Sequence, residues 1–153
     1  MKSAKPLALA AALLAALGSF PVWAVLGGAA TSIQSDAAAL KSAVTPRTTN
    51  HADFTVQRLT LPNGTLVDEY VSVSGTVFAL TWHGMRPPDL SQLLGTYFAE
   101  YHAAVIAPRP HSRPVQINTG RMTYRAGGHM RSYWGSAQVP ALFPADVTAE
   151  DIK

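Results

Sequence analysis

The stretch from Phe54 to Trp82 constrains the fold more than any other part of the chain. It is a run of β-branched and aromatic residues cut twice by turn dipeptides, Asn63-Gly64 and Ser74-Gly75. Asn-Gly is the strongest two-residue hairpin signal, because both positions accept positive φ. A loop there pairs Leu61 with Leu66, Arg58 with Glu69 and Val56 with Val71. A second loop at Ser74-Gly75 pairs Val73 with Thr76 and Val71 with Phe78. The expected element is a three-stranded antiparallel meander over about residues 54–82. One face then gathers Phe54, Val56, Val67, Val71, Val73, Phe78, Leu80 and Trp82 around the Arg58–Glu69 pair, and is expected to be the core. The other gathers Leu59, Leu61, Leu66, Tyr70, Val77 and Ala79 among polar residues, partly covered by the N-terminal arm. A slip of one residue would exchange these faces.

After Pro87-Pro88 the period changes from two to 3.6. Asp89 is a good N-cap, and Gln92 stands at capping-box spacing. Leu90, Leu93, Leu94, Tyr97, Tyr101 and Val105 form one apolar stripe, widened by Phe98 and stopped by Pro108. One amphipathic helix over about 89–106 is expected to cover the sheet. Pro108 to Pro114 reads as an extended basic loop. Val115–Thr119 is a short strand, and Gly127-Gly128 is expected to turn a C-terminal hairpin, the two elements spanning about 115–135. Pro140, Pro144 and Thr148 punctuate a tail with one helical turn from Thr148. The fold class is α+β.

The N-terminus has different physics. Lys2 and Lys5 precede an uninterrupted Leu/Ala run from Leu7 to Leu17, broken by Gly18 and Pro21 and followed by Val22-Trp23-Ala24. That is the pattern of a secretory signal peptide, with cleavage expected after Ala24. The run falls short of the roughly 20 residues needed to span a bilayer, so no stable membrane span is expected after cleavage. Residues 25–53 form an Ala/Ser/Thr-rich arm: either Ser35-Asp36 caps a short helix through Val44, ended by Thr45-Pro46, or the segment runs as a loose arm. Residues 54–153 form a single domain.

The leader carries two of the 12 basic residues, leaving ten against nine acidic ones, so the exported chain is nearly neutral. A general polyanion binder is not supported, and nucleic acid is not an expected partner. The chain has no Cys, which excludes a disulfide scaffold, a thiolate metal site and a cysteine nucleophile. His51, His83, His102, His111 and His129 are scattered, without the i, i+4 spacing of a helical metal site. No Gly-x-Ser-x-Gly elbow occurs. Asp68 and Glu69 are adjacent on a strand and point to opposite faces, so they cannot work as an acid–base pair. No catalytic residue, metal site or cofactor is therefore assigned.

The last hairpin carries the most distinctive chemistry. Arg121, Arg125 and Arg131 are interleaved with Tyr124, His129, Tyr133 and Trp134. A loop at Gly127-Gly128 sets Tyr124 opposite Arg131 and Arg121 opposite Trp134, where guanidinium–ring contacts contribute about 0.5–1 kcal/mol when exposed. Arginine and aromatic residues together are also what interaction hot spots favour. Arg109 and Arg113 extend the patch.

The order of several short motifs resembles the bacterial secreted proteins of domain-of-unknown-function family 2844. The matching residues are Leu26-Gly27-Gly28, Leu61-Pro62-Asn63-Gly64-Thr65 with Asp68-Glu69-Tyr70, and Gly75-Thr76-Val77-Phe78-Ala79 with Trp82. They continue with Pro88-Asp89-Leu90, Leu93-Leu94-Gly95-Thr96-Tyr97-Phe98, Gly127-Gly128-His129-Met130 and the tail from Pro140 to Ile152. The resemblance implies export and carries no catalytic residue. The sequence is thus read as an exported, non-catalytic domain, periplasmic or secreted. Its expected partner is an envelope or secreted protein or a glycan, bound through the Arg/aromatic hairpin. Two alternatives stand beside this: a small hydrolase or metal-dependent enzyme built from scattered His, Asp and Glu, and a structural subunit that self-associates through an apolar sheet face.

Overall fold

A computed structural model describes residues 25–33, 37–38, 41–47, 51–108 and 114–153. The expected leader, the cap at Ser35-Asp36, and Arg109 and Arg113 lie outside the described residues. The strands are β1 (Ala43–Arg47), β2 (Phe54–Thr60), β3 (Leu66–Ser72), β4 (Val77–Gly84), β5 (Val115–Asn118), β6 (Thr123–His129) and β7 (Ser132–Gln138). They form one antiparallel sheet in the order β1-β2-β3-β4-β7-β6-β5. The expected meander and C-terminal hairpin are therefore halves of one sheet, joined along β4 and β7. Val44 and Pro46 belong to β1, not to the end of a helix, and Pro46 is tolerated because β1 is an edge strand.

The β2–β3 register differs by one residue from the expected one. Pro62-Asn63-Gly64 is a three-residue loop, closed by a Leu61 N–H bond to the Thr65 carbonyl (2.9 Å). Pro62 fixes a negative φ, Asn63 Oδ1 accepts the Thr65 N–H (2.9 Å), and only Gly64 takes positive φ (79°). This is a type I turn with a left-handed glycine, not the two-residue turn that Asn-Gly suggests. Arg58 consequently pairs with Asp68, Val56 with Tyr70 and Leu59 with Val67. The β3–β4 register is as expected along Leu66–Tyr70, then shifts at a bulge, so Val71 meets Val77 and Phe78 turns to the opposite face.

The slip divides the expected core set in two. Val67, Val71, Leu80 and Trp82 share a face with Leu59 and Val77, beneath Leu26, Leu93, Leu94 and Tyr97. Phe54, Val56, Tyr70, Phe78 and Ala79 pack on the outer face under Leu142, Phe143, Val147 and Ile152. Both faces are thus covered: of the residues expected under the N-terminal arm, Leu59, Leu61 and Val77 do pack with its Leu26 and Ile33, whereas Tyr70 and Ala79 lie on the outer face, which the C-terminal tail covers. Val73, expected in the core, stands exposed in a turn. Glu69 is wholly buried on the helix side, while Asp68 lies on the outer face.

The helix is interrupted. Asp89 caps α1 (Leu90–Leu93), accepting the Ser91 N–H at 2.9 Å. Gln92 Nε2 donates to the Asp89 carboxylate (3.3 Å), so the capping box does not form. A 3-10 turn follows at Gly95–Tyr97, then α2 (Phe98–Ile106). Gly95 has φ +49°, and a Cβ there would lie 2.7 Å from the Val25 side chain, so glycine is needed for both conformation and space. Among the described residues no helix is long and apolar enough to cross a membrane.

The C-terminal hairpin turns at Met130-Arg131, with His129 opposite Ser132, and Gly127-Gly128 lies inside β6. These glycines make room and do not turn the chain: a Cβ on Gly127 would sit 2.8 Å from the Trp134 ring. Gly135 does the same for Trp82 on the other face. The tail carries 3-10 turns at Pro140–Leu142 and, as expected from Thr148, at Ala149–Asp151.

Candidate functional site

Cross-strand pairing sets one polar residue from every strand in a single row on the outer face. The row runs Thr45, Arg58, Asp68, Thr81, Ser136, Arg125, Gln116. Neighbouring strands are about 4.8 Å apart, so Arg58 and Arg125, four strands apart, are separated by roughly 19 Å of sheet. On one side of the row lies the apolar patch under the tail. On the other stand His83 and Trp134, paired across β4 and β7.

Above the middle of this row is an open groove of about 670 Å³. Thr81, Ser136, Thr123 and Gln138 line its floor, with Arg47, Arg58, Arg125, His83 and Trp134 around it and Ala149, Ile152 and Lys153 of the tail as one wall. Lys153 is held there by Tyr70, whose hydroxyl accepts the Lys153 N–H (2.9 Å) and donates to its carbonyl oxygen. Arg47 donates to the same carbonyl at 3.3 Å.

Two of the three guanidinium groups are already engaged. Arg58 forks onto Asp68 with two bonds of 2.7 Å, and Arg47 adds a third at 2.9 Å. The bond to Asp68 raises the Arg58 pKa above its usual value, against the opposing effect of burial. Asp68 is therefore a buried carboxylate saturated by charged donors. Arg125 forms no ion pair among the described residues and is exposed. Trp134 is 41% exposed.

The structure separates the seven residues expected to form one surface. Arg125 and Trp134 share the groove. Tyr124 faces Ala137, not Arg131, and is buried on the helix side, its ring 4.7 Å from Tyr101 and 5.7 Å from Trp82. Arg121 lies 4.9 Å over the Tyr97 ring and is paired with Glu100, far in sequence from the expected partner Trp134. The cause in both cases is the turn at Met130-Arg131, which lies three residues beyond Gly127-Gly128 and so moves each cross-strand partner by six residues. His129 and Tyr133 line a second recess, of about 620 Å³, with Trp82, Tyr124, Met130 and Trp134. Arg131 and Tyr133 border a third beside Met85 and Met130.

Arg47, Arg58, Thr81, Ser136 and Gln138 were not among the expected site residues. The signal for them is the polar alternation Ser132, Trp134, Ser136, Gln138 along β7, which becomes a surface only once β7 is placed beside β4. His51 lies 3.3 Å from Asp53 and stacks on Phe54. Among the described residues no three His, Cys, Asp or Glu side chains converge.

No curated protein and no solved structure matches the chain. The motif order noted above, from the residues before Leu26 to Ile152, is that of one family: residues 22–152 match the family described as Protein of unknown function (DUF2844), and the chain belongs to it.

Proposed function

We propose that the chain is an exported, non-catalytic binding domain that holds an envelope or secreted component in the groove on the outer face of its sheet. One observation carries the reading. Arg125 and Trp134 stand exposed over a floor of hydroxyl and amide side chains, on a sheet face whose apolar remainder is already covered by the chain's own tail. A sheet face that served only to close the core would have no need for a guanidinium that forms no ion pair among the described residues and an open indole at a concave surface. The leader pattern supports export, to the periplasm or beyond. The apolar face once available for self-association is occupied by Phe143, Val147 and Ile152, which favours a ligand over a second copy.

The test is capture from an envelope extract on the purified chain, with an Arg125→Ala/Trp134→Ala double variant and an Arg121→Ala control. Arg121 is tied to Glu100 and Tyr97 on the other side of the sheet. A species retained by the wild type and the control but lost by the double variant is expected. Equal retention by all three would remove the groove from the reading.

A further inference from the structure

The groove's ligand class can be read from its chemistry, on the footing of the binding reading above. We infer that it takes an acidic glycan, with a uronate carboxylate on Arg125 and a sugar ring against Trp134. Asp68 already engages Arg47 and Arg58, so among the described residues the groove's guanidinium open to a ligand is Arg125, with the Lys153 side chain on the tail wall as a second cation. A planar guanidinium binds carboxylates by two parallel bonds. Between Arg125 and Asp68 the row holds only Thr81 and Ser136, both half-buried hydroxyls, with Thr123 and Gln138 beside them. Hydroxyl and amide groups both donate and accept, which suits the hydroxyls of a sugar, themselves donors and acceptors. The Trp134 ring lies where a Cβ on Gly127 would be and is 41% exposed, which leaves a flat apolar surface for a pyranose. An acidic peptide is the weaker fit. It would present carboxylates in succession and want a series of unengaged cations, where the floor offers neutral groups.

The experiment is calorimetric titration of the purified chain with three probes: tetragalacturonate, its methyl ester and tetraglutamate. Tetragalacturonate is expected to bind at least about tenfold more tightly than its ester, which loses the charge-assisted bond to Arg125, and more tightly than tetraglutamate, which keeps its carboxylates but has no sugar ring for Trp134 and no hydroxyls for the floor. Arg125→Gln should remove the preference for acid over ester, and Trp134→Ala should weaken both sugars alike. Matching thermal melts exclude unfolding, and Ser136→Ala serves if Arg125→Gln alters the melt. Tetraglutamate binding as tightly as the uronate overturns the inference in favour of an acidic peptide. If no probe binds while the double variant still loses its captured species, the glycan assignment falls and the groove reading stands. If neither occurs, both fall.

Discussion

Asp68 shows how much one side chain can organise. Its carboxylate is almost wholly buried and receives three bonds from two arginines on two different strands. Both arginines are themselves partly exposed, so solvent screens part of the attraction. Asp68→Asn should still cost about 1–3 kcal/mol, because it removes the negative charge and one of the two acceptor oxygens from between two guanidinium groups. Chemical denaturation reads this directly, and an unchanged midpoint would show the cluster to be ornamental to stability. Gly135 acts through absence. Its missing Cβ is where the Trp82 indole lies, so Gly135→Ala should destabilise by about 1–3 kcal/mol through overpacking. Gly64→Ala, with open space around it, should cost only the strain of positive φ, about 1 kcal/mol. The contrast between these two glycine variants separates a packing requirement from a backbone one.

Elements built from continuous local patterns were readable from the sequence, and those defined by their turns were not. The strands β2 to β4 and the capped start of the helix follow from alternation and from Asp89. The registers failed where turn chemistry was ambiguous. Pro62 before Asn-Gly selects a three-residue loop, and Met130-Arg131 carries no turn residue at all, with Arg131 forced to φ +64°. A glycine pair that makes room for an indole reads in the sequence just like one that turns a chain. Because the groove depends on which residues lie side by side across strands, its row could not be seen until those registers were right. Of the residues lining the groove, Arg125 and Trp134 stand out in the sequence by composition, whereas Thr81 and Ser136 come beside them only through strand pairing. The last turn of the tail makes its own prediction. Asp151 accepts bonds from the Thr148 N–H (2.8 Å) and hydroxyl (2.9 Å), and the backbone bond chiefly lowers its pKa. A depressed carboxylate stabilises above its unfolded pKa, near 3.9, and that contribution is lost as pH falls through the folded value. Cleavage of the tail by an acid-active protease should therefore rise as pH drops below about 4. Asp151→Asn should show the faster cleavage already at pH 5.

Across the molecule, one sheet is shared by two apolar layers of unequal origin. The helix-side layer draws on residues from Leu26 to Val139, whereas the outer layer is closed by Phe143, Val147 and Ile152 alone among the residues after β7, with Leu142 at its margin. Deleting residues 143–153 should therefore leave the helix side packed while exposing Phe54, Tyr70 and Phe78. A large increase in binding of an apolar dye with most strand signal retained is the expected result. Complete unfolding would mean that the two layers do not separate.

The two ends of the described chain pack against opposite faces of the sheet, Leu26 against Leu93 and Lys153 against Tyr70. Attachment chemistry follows from that. A linker, surface coupling or fused partner placed before Val25 leaves the groove facing outward. The same addition after Lys153 grows from the groove's own wall and crowds whatever enters it. Whether a preparation of this protein binds anything can thus depend on which end was chosen to hold it.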